Sequence, residues 1–205
     1  MDQKLVAWAR AVKSSRRFVP GAGRMPVLWL FTDAVRLPDP RAAVSRLPKG
    51  LCGVVLRHDG VPGRAILGRE LARICRVRRL ALVIAGDPRL AASLGAGVHL
   101  RAGRRHGLLA PRRRILQHSA LVTSSAHNLA ELHRAAHAGA DLAFLSPVFP
   151  TSSHPAGGVL GAAGWSRLAR LARLPVAALG GIDGASLRAL PRGLCRSAGA
   201  IGGLI

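Results

Sequence analysis

Short apolar runs alternate with helix-like segments along the whole of this 205-residue chain, and that alternation limits the fold more than any other feature. Residues 26–32 (PVLWLFT) predict a first strand, followed by a helical stretch at 40–46. Strand-like 53–56 precedes helical 64–76, 80–85 precedes 88–93, and 97–100 precedes a basic stretch ending at Arg114. Strand-like 120–124 precedes helical 128–138, and 141–145 precedes a long loop and a helix at 164–172. The run 176–179 precedes 184–190, and 198–204 closes the series. The crossover at 128–138 has the clearest period: Leu129, Leu132, Ala135 and Ala136 recur at helical spacing, and Gly139 supplies a C-cap.

Eight apolar strands joined by helical crossovers predict an α/β chain folded as a (β/α)8 TIM barrel. A doubly wound open sheet gives the same alternation, but no GxGxxG follows the first strand. Residues 1–25 read as an N-terminal helical extension with Leu5, Val6, Trp8, Ala9 and Val12 on one face. That helix plugs the bottom of the barrel, lies loose against it, or covers an exposed side. Residues 26–205 read as one barrel domain with a short or missing last helix, because the chain ends just after the eighth run.

Arginine supplies nearly all of the formal charge of +22, since Lys4, Lys13 and Lys49 are the only lysines. Such charge invites nucleic acid. The arginines are dispersed, however, and with no tyrosine and four phenylalanines the platforms that stack bases are scarce. The sequence therefore argues against a nucleic-acid partner and for a solvated basic surface that steers an anionic substrate. No apolar run approaches the roughly 20 residues that span a bilayer, and no secretory h-region is present, so a cytoplasmic protein without a membrane partner is expected. Cys52, Cys75 and Cys195 have no CxxC spacing; they are expected to be small core residues rather than a disulfide framework or zinc site. Assembly into a homo-oligomer stays open.

A barrel carries its active site where the strands end. The polar residues there include Thr32, Asp33, Arg57, His58, Asp59, Asp87, His99, Ser124, Ser125, His127, Ser146, Thr151, Ser153, His154 and Asp183. Gly180–Gly181, and Gly202–Gly203 on the next strand, suit a phosphate: loops without Cβ atoms let backbone N–H groups approach an anion. A plain tight turn is the alternative. His127 in TSSAHN is a candidate proton shuttle near neutral pH, with Asn128 capping the following helix. His154 in FPTSSHP is a second catalytic candidate, beside Thr151 and Ser153 as phosphate donors. No lysine falls at a strand end, so Schiff-base chemistry lacks a nucleophile.

The ordered set FTD (31–33), VVLRHD (54–59), AGVHL (96–100), SSAHN (124–128), AGADLAFLSPVFPTSSH (138–154) and PVAALGGI (175–182) resembles the thiamine phosphate synthase and TenI family over about residues 26–205. The resemblance implies a role in thiamine biosynthesis with phosphorylated thiazole or pyrimidine ligands. A synthase joins a thiazole phosphate to hydroxymethylpyrimidine diphosphate with Mg2+; TenI-type members isomerise a thiazole phosphate without metal, using a histidine that His127 matches. A non-catalytic phosphate-binding barrel is the remaining alternative. The resemblance further implies that Arg57 contacts a substrate anion, Gly181 binds phosphate, and Thr151 and Ser153 line the phosphate side. The chain departs from the synthase pattern at Val55 in place of Gln, Ala85–Gly86 in place of Asn-Asp, Arg104 in place of a metal-ligand Asp, and His154 in place of Lys. No metal ligands are assigned on these residues; Mg2+ is expected only if synthase activity is retained, with Asp59 and Asp87 as the carboxylates left for a displaced site.

Overall fold

The computed structural model describes residues 1–16, 25–101, 120–151 and 158–205. Eight parallel strands close into a barrel in chain order: β1 (Leu28–Phe31), β2 (Cys52–Leu56), β3 (Ala81–Ala85), β4 (Gly97–Leu100), β5 (Val122–Ala126), β6 (Leu142–Leu145), β7 (Val176–Ala178) and β8 (Ala198–Ala200). Leu28 of β1 pairs with Cys52 on one side and with Ala198 on the other, which closes the ring. Outside it lie α1 (Gln3–Arg16), α2 (Arg41–Arg46), α3 (Arg64–Arg78), α4 (Pro88–Ser93), α5 (Leu129–His137) and α6 (Gly161–Leu171). The chain is thus a (β/α)8 barrel, as the alternation predicts.

The strands are apolar on both faces because both are buried. Leu28 and Leu30 of β1 point into the layer shared with the helices, while Trp29 and Phe31 point into the barrel. Trp29 is paired with Gly53 on β2 and Gly199 on β8, so the bulkiest interior side chain has glycine on both flanks. A Cβ on Gly53 would stand 2.6 Å from the Trp29 ring, and one on Gly199 would stand 2.8 Å from Phe31. The space is taken by edge-to-face packing: Phe31 and Phe144 lie 4.8 Å apart at 88°, and Trp29 and Phe144 lie 5.5 Å apart at 84°. Each such pair contributes about 0.5–1.5 kcal/mol beyond simple burial. The barrel interior is therefore a filled core beneath the site.

α1 buries Leu5, Val6, Ala9 and Val12, the face expected from the sequence. It does not plug the barrel. The Asp2 carboxylate accepts from Lys4 and Leu5 at the start of the helix and also from the Gly184 amide at 2.6 Å, beyond the end of β7. At the other end, the Lys13 ammonium donates to the Gly50 carbonyl, just before β2. The helix therefore runs down the outside from the strand ends to the strand starts. It covers the flank at which a final crossover helix would otherwise lie.

Boundaries near the site differ from expectation. The segment 184–190 forms a 3-10 turn at Ser186–Ala189 rather than a helix, and β8 stops at Ala200, so Gly202–Leu204 is a 3-10 turn beyond the strand. β5 extends to Ala126, which puts Ser125 and Ala126 inside the strand and His127 directly after it. α5 begins as expected: the Asn128 side chain accepts from the Glu131 amide at 2.9 Å, a cap contributing about 1 kcal/mol.

Candidate active site

The C-terminal strand ends surround an open cavity of about 950 Å3. Phe31, Ala85 and His99 line it at the level where the barrel core ends. His99 is 2% exposed and fixed at both nitrogens, with Thr123 Oγ1 at 2.9 Å from Nδ1 and Ser125 Oγ at 2.8 Å from Nε2. Its ring also stands edge-on to Phe31 at 5.6 Å. This arrangement makes a rigid, half-polar floor.

One side of the rim consists largely of backbone. Gly180, Gly181, Gly202 and Gly203 line the cavity with Thr151, and the amide N–H groups of these four glycines meet no acceptor among the described residues. Gly180 and Gly181 adopt φ of 88° and 65°, which side chains rarely tolerate. A Cβ on Gly180 would come 2.8 Å from Pro147, and one on Gly181 would come 2.6 Å from the Pro150 carbonyl. The loop after β6 is laced to this turn, Val148 donating to Leu179 O and Phe149 to Gly180 O. The absence of Cβ atoms thus first allows two loops to pack against each other. The turn and the row of amides are the same feature.

The other side is charged. Arg57 follows β2, lines the cavity and makes no ion pair among the described residues. Its backbone is held by the Thr32 hydroxyl at 3.0 Å, which in turn meets His58 Nδ1 at 2.9 Å. His58 Nε2 lies 3.2 Å from the Pro38 carbonyl, so this 2%-exposed histidine braces the β1 and β2 loops and does not face the cavity. Asp33 pairs with Arg36 at 2.9 Å; hydrogen bonds from the Arg36 side chain and backbone lower its pKa to about 2. Asp183 caps its own turn, with the Ser186 amide as the main cause of a lowered pKa.

Asp59 and Asp87, the carboxylates left for a displaced metal site, are already engaged. Asp59 Oδ1 meets Arg64 at 3.1 Å and Oδ2 meets Arg101 at 2.6 Å. Asp87 Oδ1 accepts from the Leu90 amide at 2.9 Å as the cap of α4, and Oδ2 faces Arg64 at 3.7 Å. Arg64 also donates to the Ala85 carbonyl at 2.6 Å. Among the described residues no three His, Cys, Asp or Glu side chains gather as a ligand set. Mg2+ needs several hard oxygens near 2.1 Å in octahedral array, and these residues do not fit it.

His127 stands between the two sides. Its Nδ1 lies 2.8 Å from the Ser146 carbonyl, so this nitrogen carries the proton and Nε2 keeps a lone pair in the neutral ring. Its backbone N–H donates to Glu131 at 2.7 Å, tying the residue to the first turn of α5. The structure thus brings Arg57, His127, Thr151 and the four glycines around one cavity. Ser153 and His154, and the substituted position Arg104, lie outside the described residues. Sequence reasoning missed Arg36, Arg64 and Arg101. Arg101 directly follows the last residue of β4, so its strand-end position was the available signal.

The family model described as thiamine monophosphate synthase matches residues 39–200. The chain is 33% identical over 157 residues to the thiamine-phosphate synthase of Thiobacillus denitrificans, covering 73% of this chain and 74% of that protein. It is 34% identical over 152 residues to the enzyme of the same name from Methylococcus capsulatus, covering 69% of this chain and 64% of the relative. Its fold superposes on thiamine phosphate pyrophosphorylase from Pyrococcus furiosus with a TM-score of 0.72 at 23% identity, over 87% of each chain. A barrel of this closure, with its cavity at the strand ends and a family match over most of its length, makes the chain a member of the thiamine monophosphate synthase family of thiamine biosynthesis.

Proposed function

We propose that the chain is a transferase of the thiamine phosphate synthase type, joining a thiazole phosphate to hydroxymethylpyrimidine diphosphate. The observation that carries this is a single cavity with two different anion-binding sides, one of unpaired glycine amides and one of guanidinium groups. Amides of Gly180, Gly181, Gly202 and Gly203, with the Thr151 hydroxyl, suit the phosphate of the thiazole. Ser153 is proposed to join them on the strength of its sequence motif. Arg57 suits the diphosphate of the pyrimidine.

In the reaction the thiazole nitrogen lone pair forms the new C–N bond to the pyrimidine methylene. The C–O bond to the diphosphate breaks, and its electron pair leaves on pyrophosphate. No ring proton is lost, so the acid–base group acts on the leaving anion. His127, held through Nδ1 on the Ser146 carbonyl, donates from Nε2 when protonated. His154 is proposed as a second donor from the loop after β6. Synthase chemistry is preferred to TenI-like tautomerisation and to a non-catalytic barrel because the curated relatives above are called thiamine-phosphate synthases.

Among the described residues no helix is long and apolar enough to cross a membrane. A cytoplasmic location is proposed; the three cysteines, buried thiols that form no disulfide among the described residues, suit a reducing compartment. The test is direct. The chain is mixed with both substrates and the formation of thiamine monophosphate and pyrophosphate is followed by chromatography, with calorimetry on each ligand. Absence of product together with absence of thiazole phosphate binding would sink the proposal.

A further inference from the structure

Thiamine-phosphate synthases in general depend on Mg2+, yet the charged side of this cavity is organised around arginine. Gly86 stands at the end of β3, where the family pattern has a carboxylate. A Cβ built there would meet Arg101 Nε at 3.0 Å, Nη2 at 3.3 Å and Cζ at 3.4 Å. The volume into which an acidic side chain would project is thus taken by a guanidinium. That guanidinium is held in place, because Asp59 Oδ2 grips Arg101 at 2.6 Å while Asp59 Oδ1 is anchored by Arg64 at 3.1 Å. Arg64 is itself fixed by the Ala85 carbonyl at 2.6 Å, and its side chain is 15% exposed, so the chain of contacts ends in the barrel wall.

All four oxygens of Asp59 and Asp87 have partners within this network. A dication approaching them would have to displace ion-paired guanidinium groups and would be repelled by their charge. An anion meets the opposite situation. Arg101 and Arg57 both line the cavity, and a guanidinium offers a planar set of donors that matches phosphate oxygens. Arg64 and Arg101 are balanced by Asp59 and Asp87, so the surplus charge on this side is that of Arg57, and Arg101 adds guanidinium donors beside it.

We infer that the β2–β4 side of the rim is a metal-independent diphosphate site, in which Arg101, held over Gly86 by Asp59, supplies guanidinium donors beside the positive charge of Arg57, in place of a divalent cation. This deepens the synthase proposal and rests on it for the identity of the diphosphate. Gly86 and Arg101 act as one exchange, a carboxylate and its cation replaced by a cation of the protein's own.

The test is calorimetry on the full chain with inorganic pyrophosphate, first in EDTA and then in excess MgCl2, with thiazole phosphate titrated separately. The site predicts pyrophosphate binding in EDTA, with a Kd that MgCl2 improves by less than about tenfold. Arg101→Ala should weaken pyrophosphate by about tenfold or more while thiazole phosphate stays within about threefold of its original affinity. Pyrophosphate affinity that arises only on adding MgCl2 overturns the inference, and this result needs no variant. Unchanged pyrophosphate binding by a folded Arg101→Ala chain, checked by its thermal transition, also overturns it. If pyrophosphate binds in EDTA but thiazole phosphate does not bind at all, the arginine site stands and the synthase proposal falls. If thiazole phosphate binds but pyrophosphate needs Mg2+, the reverse holds.

Discussion

The two sides of the cavity rim are built by different means. Beyond β7 and β8 the wall is backbone: positive-φ glycines, amides without acceptors, and a neighbouring loop packed against them. Beyond β2, β3 and β4 it is side-chain charge, in a relay from Arg64 through Asp59 to Arg101. A backbone site is set by steric fit and has few acceptable substitutes. A side-chain site can be rebuilt by exchanging residues, because many arrangements supply the same charge. This accounts for a glycine turn that keeps the family pattern opposite a side that departs from it at Ala85 and Gly86.

The largest expected effect belongs to the residue between the two sides. His127→Ala should lower turnover by about 10²–10⁴-fold while the affinity for thiazole phosphate stays within about tenfold, measured by steady-state kinetics and calorimetry. A variant with unchanged turnover would remove His127 from the mechanism and leave the two walls as the whole site.

Gly181→Val probes the backbone side. Backbone strain at φ 65° and the 2.6 Å approach to the Pro150 carbonyl should together cost about 2–4 kcal/mol in urea unfolding. A loss below about 0.5 kcal/mol would show that the turn yields and that steric fit does not set this side.

Arg64→Leu probes the charged side. It leaves the Ala85 carbonyl without this donor and releases Asp59, for an expected cost of about 1–3 kcal/mol and a weakened response to pyrophosphate. Full stability with full pyrophosphate affinity would break the relay.

The smallest effect is expected at Asp33, two residues past the end of β1, which lies between the two sides. The Arg36 side chain is the main cause that draws its pKa from 3.8 to about 2. The folded value lies below the unfolded one, so the stabilisation is complete above about pH 4 and is lost as pH falls toward 2. Asp33→Asn should flatten that acid limb by at most about 1 kcal/mol, given the partial exposure of the pair. Denaturation curves at pH 5, 4, 3 and 2.5 check it; an unchanged limb would assign the acid sensitivity to other carboxylates.

Legibility in the sequence followed local periodicity. Strand β4 and helix α4 lie where the pattern predicts them, because a short apolar run and an Asp-Pro helix start are local signals. The pattern places β5 at 120–124 rather than 122–126, since Ser125 and Ala126 look like loop residues before the Asn128 cap. Ser125 is a strand residue because His99 on the adjacent strand supplies hydrogen-bond partners for Thr123 and Ser125 inside the barrel. The glycine pairs, Arg57, His127 and Thr151 were recognisable as strand-end residues. His58 was recognisable in the same way, yet it turns away to brace a loop.

What the sequence determined by itself is the barrel, its strand order and the position of a glycine turn after β7. These follow from hydrophobic period, strand count and backbone conformational limits, which act over a few residues at a time. The tertiary structure alone decided that α1 covers the barrel's open flank, that Trp29 sits between two glycines, and that Asp59 and Asp87 serve as counter-ions rather than free ligands. Those outcomes depend on which groups closure of the ring brings within a few ångströms. Arg64 and Arg101 are far from each other in the chain, and only the packing of adjacent strands makes them share one carboxylate.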